Sequence, residues 1–140
     1  MRILVAEDVT LIQKMLKRLL EPYGEITFAA NGREAFQEFQ KTLQTQNYFN
    51  LICLDINIPE INGLDVLKNI RAAEKLNHVP LKDRAKIVIV SSTNDADVVM
   101  KAIKLGCDGY IVKPFSKEKI VAELKKLNLL KEEAPKQAAQ

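Results

Sequence analysis

Three acidic side chains, one lysine and a run of hydroxyls carry most of the reactive chemistry in this sequence. Glu7-Asp8 follows the apolar run Ile3-Leu4-Val5-Ala6. Asp55 stands near the end of an apolar stretch from Phe49 to Ile56. Ser91-Ser92-Thr93 follows Ile87-Val88-Ile89-Val90, and Lys113-Pro114 follows Tyr110-Ile111-Val112. Taken singly, each has an ordinary explanation. Acidic pairs at loop starts are usually solvated. An aspartate after a strand caps a turn, hydroxyls cap a helix such as one beginning near Asp95, and Lys-Pro suits an exposed loop. What sets these residues apart is that each group stands at the carboxyl end of an apolar run. In an open α/β sheet that edge is where ligands bind.

Brought together, Glu7, Asp8 and Asp55 would repel one another, and some would stay protonated unless a cation intervened. Magnesium suits the set: it prefers oxygen ligands, keeps several waters, and binds a few carboxylates together with phosphate oxygens. An aspartate can attack phosphorus and form an acyl phosphate. A compact ammonium at Lys113 would balance the added charge, and the Ser91 hydroxyl can donate to a phosphoryl oxygen. Such chemistry is mostly positioning and charge stabilisation.

Elements able to deliver these residues are legible in the apolar pattern. Leu11, Ile12, Met15, Leu16, Leu19 and Leu20 recur at helical spacing, with Pro22 and Gly24 as the stop. Ile26 to Ala29 reads as a strand, Asn31-Gly32 as a turn, and Ala35, Phe36 and Phe39 as a helix. Phe49 to Ile56 is the strongest strand, and Pro59 with Asn62-Gly63 breaks the chain after it. Leu64, Val66, Leu67 and Ile70 predict a third helix. The β-branched run Ile87–Val90 predicts a fourth strand. Val98 to Leu105 predicts a helix closed by Gly106, Tyr110–Val112 a fifth strand, and Ile120 to Leu127 a last helix. The order is strand–helix five times over. Strands apolar throughout imply a sheet covered on both faces, hence parallel and doubly wound with right-handed crossovers. A closed eightfold barrel would need about 250 residues, more than the 140 present.

Composition narrows the function classes. Hydrophobic residues make up 47% and charged residues 28%, as in a globular domain. The net charge of +3, the dispersed lysines and the lack of tryptophan argue against nucleic-acid binding. No apolar run approaches the roughly 20 residues of a membrane span, and the start is too short for a signal-peptide core. The expected location is cytoplasmic. Cys53 reads as a small core hydrophobe, and Cys53, Cys107 and the lone His78 cannot build a zinc site. Residues 1–130 are expected to form one domain and residues 131–140 a flexible tail, too short for an output domain.

The motif set resembles the receiver domain of two-component response regulators, in its stand-alone, chemotaxis-regulator-like form. The similarity runs from Arg2 to about Leu130. It rests on Ile3–Asp8, on Asp55-Ile56-Asn57-Ile58-Pro59-Glu60-Ile61-Asn62-Gly63, on Ile87–Ser92 and on Gly106–Phe115. The resemblance implies a flavodoxin-like fold with strand order 2-1-3-4-5 and five helices. It implies that Asp55 accepts a phosphoryl group from a sensor histidine kinase or phosphotransfer protein. Glu7, Asp8, Asp55 and the backbone carbonyl of Asn57 would hold Mg2+. Ser91 would turn toward the phosphoryl group, Tyr110 would follow inward as the switch aromatic, Lys113 would pair with the phosphoryl oxygens, and Pro114 would follow a cis bond. The protein implied is not an enzyme in the turnover sense: it has only self-catalysed phosphoryl transfer and hydrolysis. It would bind a downstream protein target, as a monomer or weak phosphorylation-dependent dimer, without nucleic acid or membrane insertion.

Against the commonest family pattern, Glu7 stands for aspartate, Ser91 for threonine and Ser92 for alanine, and the connection Leu76–Arg84 is long. Counting back from Gly106 and Lys113 favours Ser91 over Ser92 as the switch hydroxyl. Three other readings compete. A haloacid-dehalogenase-like phosphatase needs an acid two residues after its nucleophile, where Asn57 stands. A flavin protein needs a phosphate-cradling loop where Glu7-Asp8-Val9 places negative charge. A degenerate receiver usually lacks a site residue, and this sequence lacks none.

Overall fold

The computed structural model describes residues 1–130, so the tail expected over residues 131–140 lies outside the described residues. Five parallel strands form one sheet: β1 (Arg2–Ala6), β2 (Glu25–Ala29), β3 (Leu51–Leu54), β4 (Lys86–Ser91) and β5 (Gly109–Val112), in the order β2-β1-β3-β4-β5. Between and after them run α1 (Thr10–Leu20), α2 (Gly32–Thr45), α3 (Gly63–Leu76), α4 (Ala96–Leu105) and α5 (Lys117–Lys126). This is the doubly wound architecture and the strand order expected.

Alternate residues of each central strand feed different cores, which is why the strands are apolar throughout. Leu4, Ile52, Leu54, Ile87 and Ile89 face Ala35 and Phe39 of α2, Val66, Leu67 and Ile70 of α3, and Ala102 of α4. Ile3, Val5, Leu51, Cys53, Val88 and Val90 face Leu16 and Leu20 of α1 and Ile120 and Leu124 of α5. Cys53 is buried there, as expected of a small hydrophobe. Register brings the strand ends level: Ala6 pairs with Leu54, Leu54 with Ile89, and Ser91 with Val112.

The turn expected at Asn31-Gly32 and the chain break expected at Asn62-Gly63 are both helix starts. Asn31 and Asn62 each cap a helix, accepting from the backbone N–H of Glu34 and Asp65. The glycines that follow are there for close approach. A Cβ on Gly32 would lie 1.8 Å from the Ile61 carbonyl oxygen, and one on Gly63 would lie 2.2 Å from that of Asp55. The third strand is also shorter than expected: β3 spans Leu51–Leu54 within the apolar stretch Phe49–Ile56. At α4 the cap is Asp95, which accepts from Asp97 and Val98, not the hydroxyls before it.

The opposite end of the sheet is braced by Arg71. Its guanidinium pairs with Glu74 at 2.6 Å and Asp108 at 2.7 Å, and donates to the carbonyls of Ala85 and Gly106, each at 2.9 Å. Glu74, 1% exposed, also accepts from Ala85 N–H. The long connection is ordered around Val79, whose carbonyl accepts from Arg84 Nε and whose side chain is buried. His78 is an exposed loop residue in a left-handed conformation, φ 53°. Among the described residues no helix is long and apolar enough to cross a membrane.

Candidate functional site

The predicted site residues meet at the carboxyl edge of the sheet because four neighbouring strands end there. Glu7 and Asp8 leave β1, Asp55 leaves β3, Ser91 is the last residue of β4, and Lys113 leaves β5. The order β1-β3-β4-β5 converts four sequence-distant groups into one cleft. Side-chain oxygens of Glu7, Asp8 and Asp55 all lie within 4.8 Å of one another. Glu7 and Asp55 are buried and Asp8 is exposed, so the cluster opens to solvent on one side.

Lys113 bridges the two buried acids. Its Nζ lies 2.8 Å from Glu7 Oε1 and 3.0 Å from Asp55 Oδ2. Burial alone would lower its pKa, but contact with Glu7 and Asp55 raises it overall. The ammonium is held in place by its own backbone, whose N–H donates to the Ser91 carbonyl at 2.8 Å. The peptide bond between Lys113 and Pro114 is cis, as the resemblance implied. Asp55 Oδ1 accepts from Asn57 N–H at 3.1 Å.

One ammonium does not satisfy this cluster. Glu7 Oε2 is buried without a hydrogen-bond partner. Burial, then the neighbouring Asp55, push the Glu7 carboxyl up to about 7, against the opposing pull of Lys113. A divalent cation ligated by oxygen fits this donor set, since it would occupy the orphaned oxygen and offset the repulsion.

Around the cluster sit the other expected groups. Ser91 is completely buried, with its Oγ 3.4 Å from Thr93 N. Tyr110 is half-buried and its hydroxyl donates to the Thr93 carbonyl at 2.8 Å. Its phenol is pushed up chiefly by burial. Asn57 is exposed beside Asp55. Gln13 was not anticipated: its Nε2 donates to the Glu7 carbonyl. Helical spacing marked Ile12 and Met15 on either side of it, but nothing in the sequence ties a helix carboxamide to a loop carbonyl six residues earlier.

The response regulator receiver domain family matches residues 3–125. The chain belongs to that family. It is 31% identical over 129 residues to the chemotaxis protein CheY of Thermotoga maritima, spanning 91% of this chain and 97% of that protein. The chemotaxis protein CheY-3 of Vibrio cholerae is 30% identical over 129 residues, spanning 91% of each. Among solved structures, a CheY-like receiver domain protein of Methanospirillum hungatei has a TM-score of 0.70 at 28% identity, covering 91% of this chain and 93% of that one. The Borrelia burgdorferi complex of CheX, CheY, BeF3 and Mg2+ has a TM-score of 0.78 at 23% identity, covering 93% of this chain and 90% of that one, a likeness of fold alone.

Proposed function

We propose that this chain is a stand-alone response regulator, with residues 1–130 as its receiver unit, phosphorylated on Asp55 by a histidine kinase or phosphotransfer partner. The observation that carries this reading is the part-buried Lys113 bridge between buried Glu7 and Asp55, beside a carboxylate oxygen with no partner. A purely structural ion pair has no need of a third acid and an orphaned acceptor.

Glu7, Asp8 and Asp55, with the Asn57 carbonyl, would hold Mg2+. When bound, the ion supplies charge neutralisation for the carboxylates and the incoming phosphoryl oxygens. An Asp55 carboxylate oxygen attacks phosphorus. A new O–P bond forms as the P–N bond of phosphohistidine breaks, and the imidazole leaves with the electron pair. Lys113 stays close to the Asp55 carboxylate and pairs with the added oxygens. Asn57 N–H fixes the orientation of the carboxylate before attack. Ser91 Oγ then donates to a phosphoryl oxygen, which draws in the segment from Ser91 to Asp95. Tyr110, hydrogen-bonded to that segment through Thr93, moves with it. Phosphorylation thus shifts the population between two packings of α4 and β5, and a downstream protein reads the difference. Asn57 in the general-acid position leaves hydrolysis slow, so the protein acts as a switch and not as a turnover enzyme. The setting is cytoplasmic, and the protomer is a monomer or a weak phosphorylation-dependent dimer.

Intact mass after exposure to a small-molecule phosphodonor tests the core of this reading. One Mg2+-dependent phosphoryl adduct is expected in the wild type and none in Asp55→Asn. An adduct of equal yield in Asp55→Asn would overturn the assignment.

A further inference from the structure

We propose that Gln13 is a positioning residue for Asp8, acting through the main chain of Glu7. The inference rests on the magnesium reading of the acidic cleft. Lys113 grips Glu7 and Asp55, and Asn57 N–H also holds Asp55. Among the described residues no hydrogen bond or ion pair reaches the Asp8 carboxylate. Its position is therefore set by its backbone. β1 ends at Ala6, whose carbonyl accepts from Asp55 N–H at 3.0 Å, and Glu7 N–H donates to the Ala29 carbonyl at 3.0 Å. Past that point the strand pairing stops, and the Glu7 carbonyl takes its hydrogen bond from Gln13 Nε2.

That carbonyl belongs to the peptide plane joining Glu7 to Asp8. Planarity makes the plane turn as a unit, so rotation about the Glu7 Cα–C bond carries the Asp8 Cα, and with it the carboxylate, away from Glu7 and Asp55. A hydrogen bond on the carbonyl opposes this rotation. Gln13 is anchored for the task on α1, with its own N–H bonded to the Val9 carbonyl at 3.0 Å. A neutral carboxamide suits the place: a carboxylate would repel the carbonyl, and an ammonium would add positive charge beside a cation site.

The test pairs Gln13→Met, which keeps the length and removes the donor, with Gln13→Asn, which keeps the carboxamide one methylene short. Mg2+ affinity is measured by titration calorimetry on the unphosphorylated protein, alongside metal-free thermal unfolding and phosphodonor labelling at saturating Mg2+. Groups that orient metal ligands typically change affinity by about 10-fold or more when removed. Both variants are expected to bind Mg2+ about tenfold more weakly, yet to be labelled at the wild-type rate once saturated, with an unchanged metal-free melting temperature. An affinity within twofold of wild type in both variants would overturn the proposal. So would a loss of affinity that tracks a loss of metal-free stability, since that is a fold defect. A wild type that binds no Mg2+ at all would overturn the reading of the cleft itself, a distinct failure.

Discussion

Replacing Glu7 by glutamine should strengthen the fold and weaken the site. In the metal-free chain the Glu7 carboxyl is pushed from 4.5 to about 7, first by burial and then by Asp55. A folded-state value above the unfolded one means that the native state holds the proton more tightly. The associated stability is fully present below about pH 4.5 and is lost as pH rises toward 7. At about 1.36 kcal/mol per pKa unit, the ionised Glu7 costs the folded state about 3 kcal/mol at pH 8. Glutamine resembles the protonated acid, with an amide that can donate to Asp55, and it removes this cost. The Glu7→Gln protein should therefore melt higher than wild type at pH 8 by about 10 °C. The two should converge below pH 4.5, where wild type is protonated. Mg2+ should raise the wild-type melting temperature at pH 8 and do little for the variant, since the carboxylate charge proposed to hold the ion has gone. Thermal unfolding by circular dichroism at pH 4.5 and 8, with and without Mg2+, checks all four quantities. A variant less stable than wild type at pH 8 would refute the account of Glu7 as a strained, metal-awaiting acid.

Three other substitutions probe the frame around the site. Tyr110→Phe removes the bond to the Thr93 carbonyl, and should cost about 1 kcal/mol while speeding amide exchange between Ser92 and Asp95. Unchanged exchange would show that the hydroxyl does not hold that loop. Gly63→Ala forces a Cβ to within 2.2 Å of the Asp55 carbonyl oxygen. A loss of about 2 kcal/mol in urea unfolding is expected, together with slower phosphodonor labelling; wild-type values for both would disprove the contact. Arg71→Met strands the buried Glu74 carboxylate, and should destabilise by about 3 kcal/mol without altering labelling. A loss below about 1 kcal/mol would mean that Glu74 finds another partner.

The fold was legible because its signals are collective. Runs such as Ile3–Ala6 and Ile87–Val90 admit few structures once they alternate with helical periods, and the sheet order followed from the family motifs. The individual groups of the cleft were legible too, since strand ends in a parallel sheet share one edge. What stayed hidden depends on backbone proximity across distant segments. Asn31-Gly32 looks like a turn and Asn62-Gly63 like a chain break locally, and only the Ile61 and Asp55 carbonyls facing them show why glycine stands there. The strand from Phe49 looked longer than it is, because apolar character continues after pairing has ceased: Ile56 and Ile58 are buried in the loop. Arg71 gave no sign of reaching Asp108, 37 residues away. Periodicity reports which face of an element is covered, but not which polar atom meets which.

The span of the Lys113 bridge bears on how the protein is made. Lys113 and Glu7 lie 106 residues apart, and Lys113 and Asp55 lie 58 apart. Glu7 and Asp55 can come together as soon as β1 and β3 pair, but the ammonium between them arrives only when β5 docks at the edge of the sheet. A chain still on the ribosome, or one nicked before β5, would hold two buried acids without their counter-charge. Charge balance in the cleft is thus a property of the finished sheet: the lysine that neutralises Glu7 and Asp55 is delivered only once the polypeptide has folded through β5.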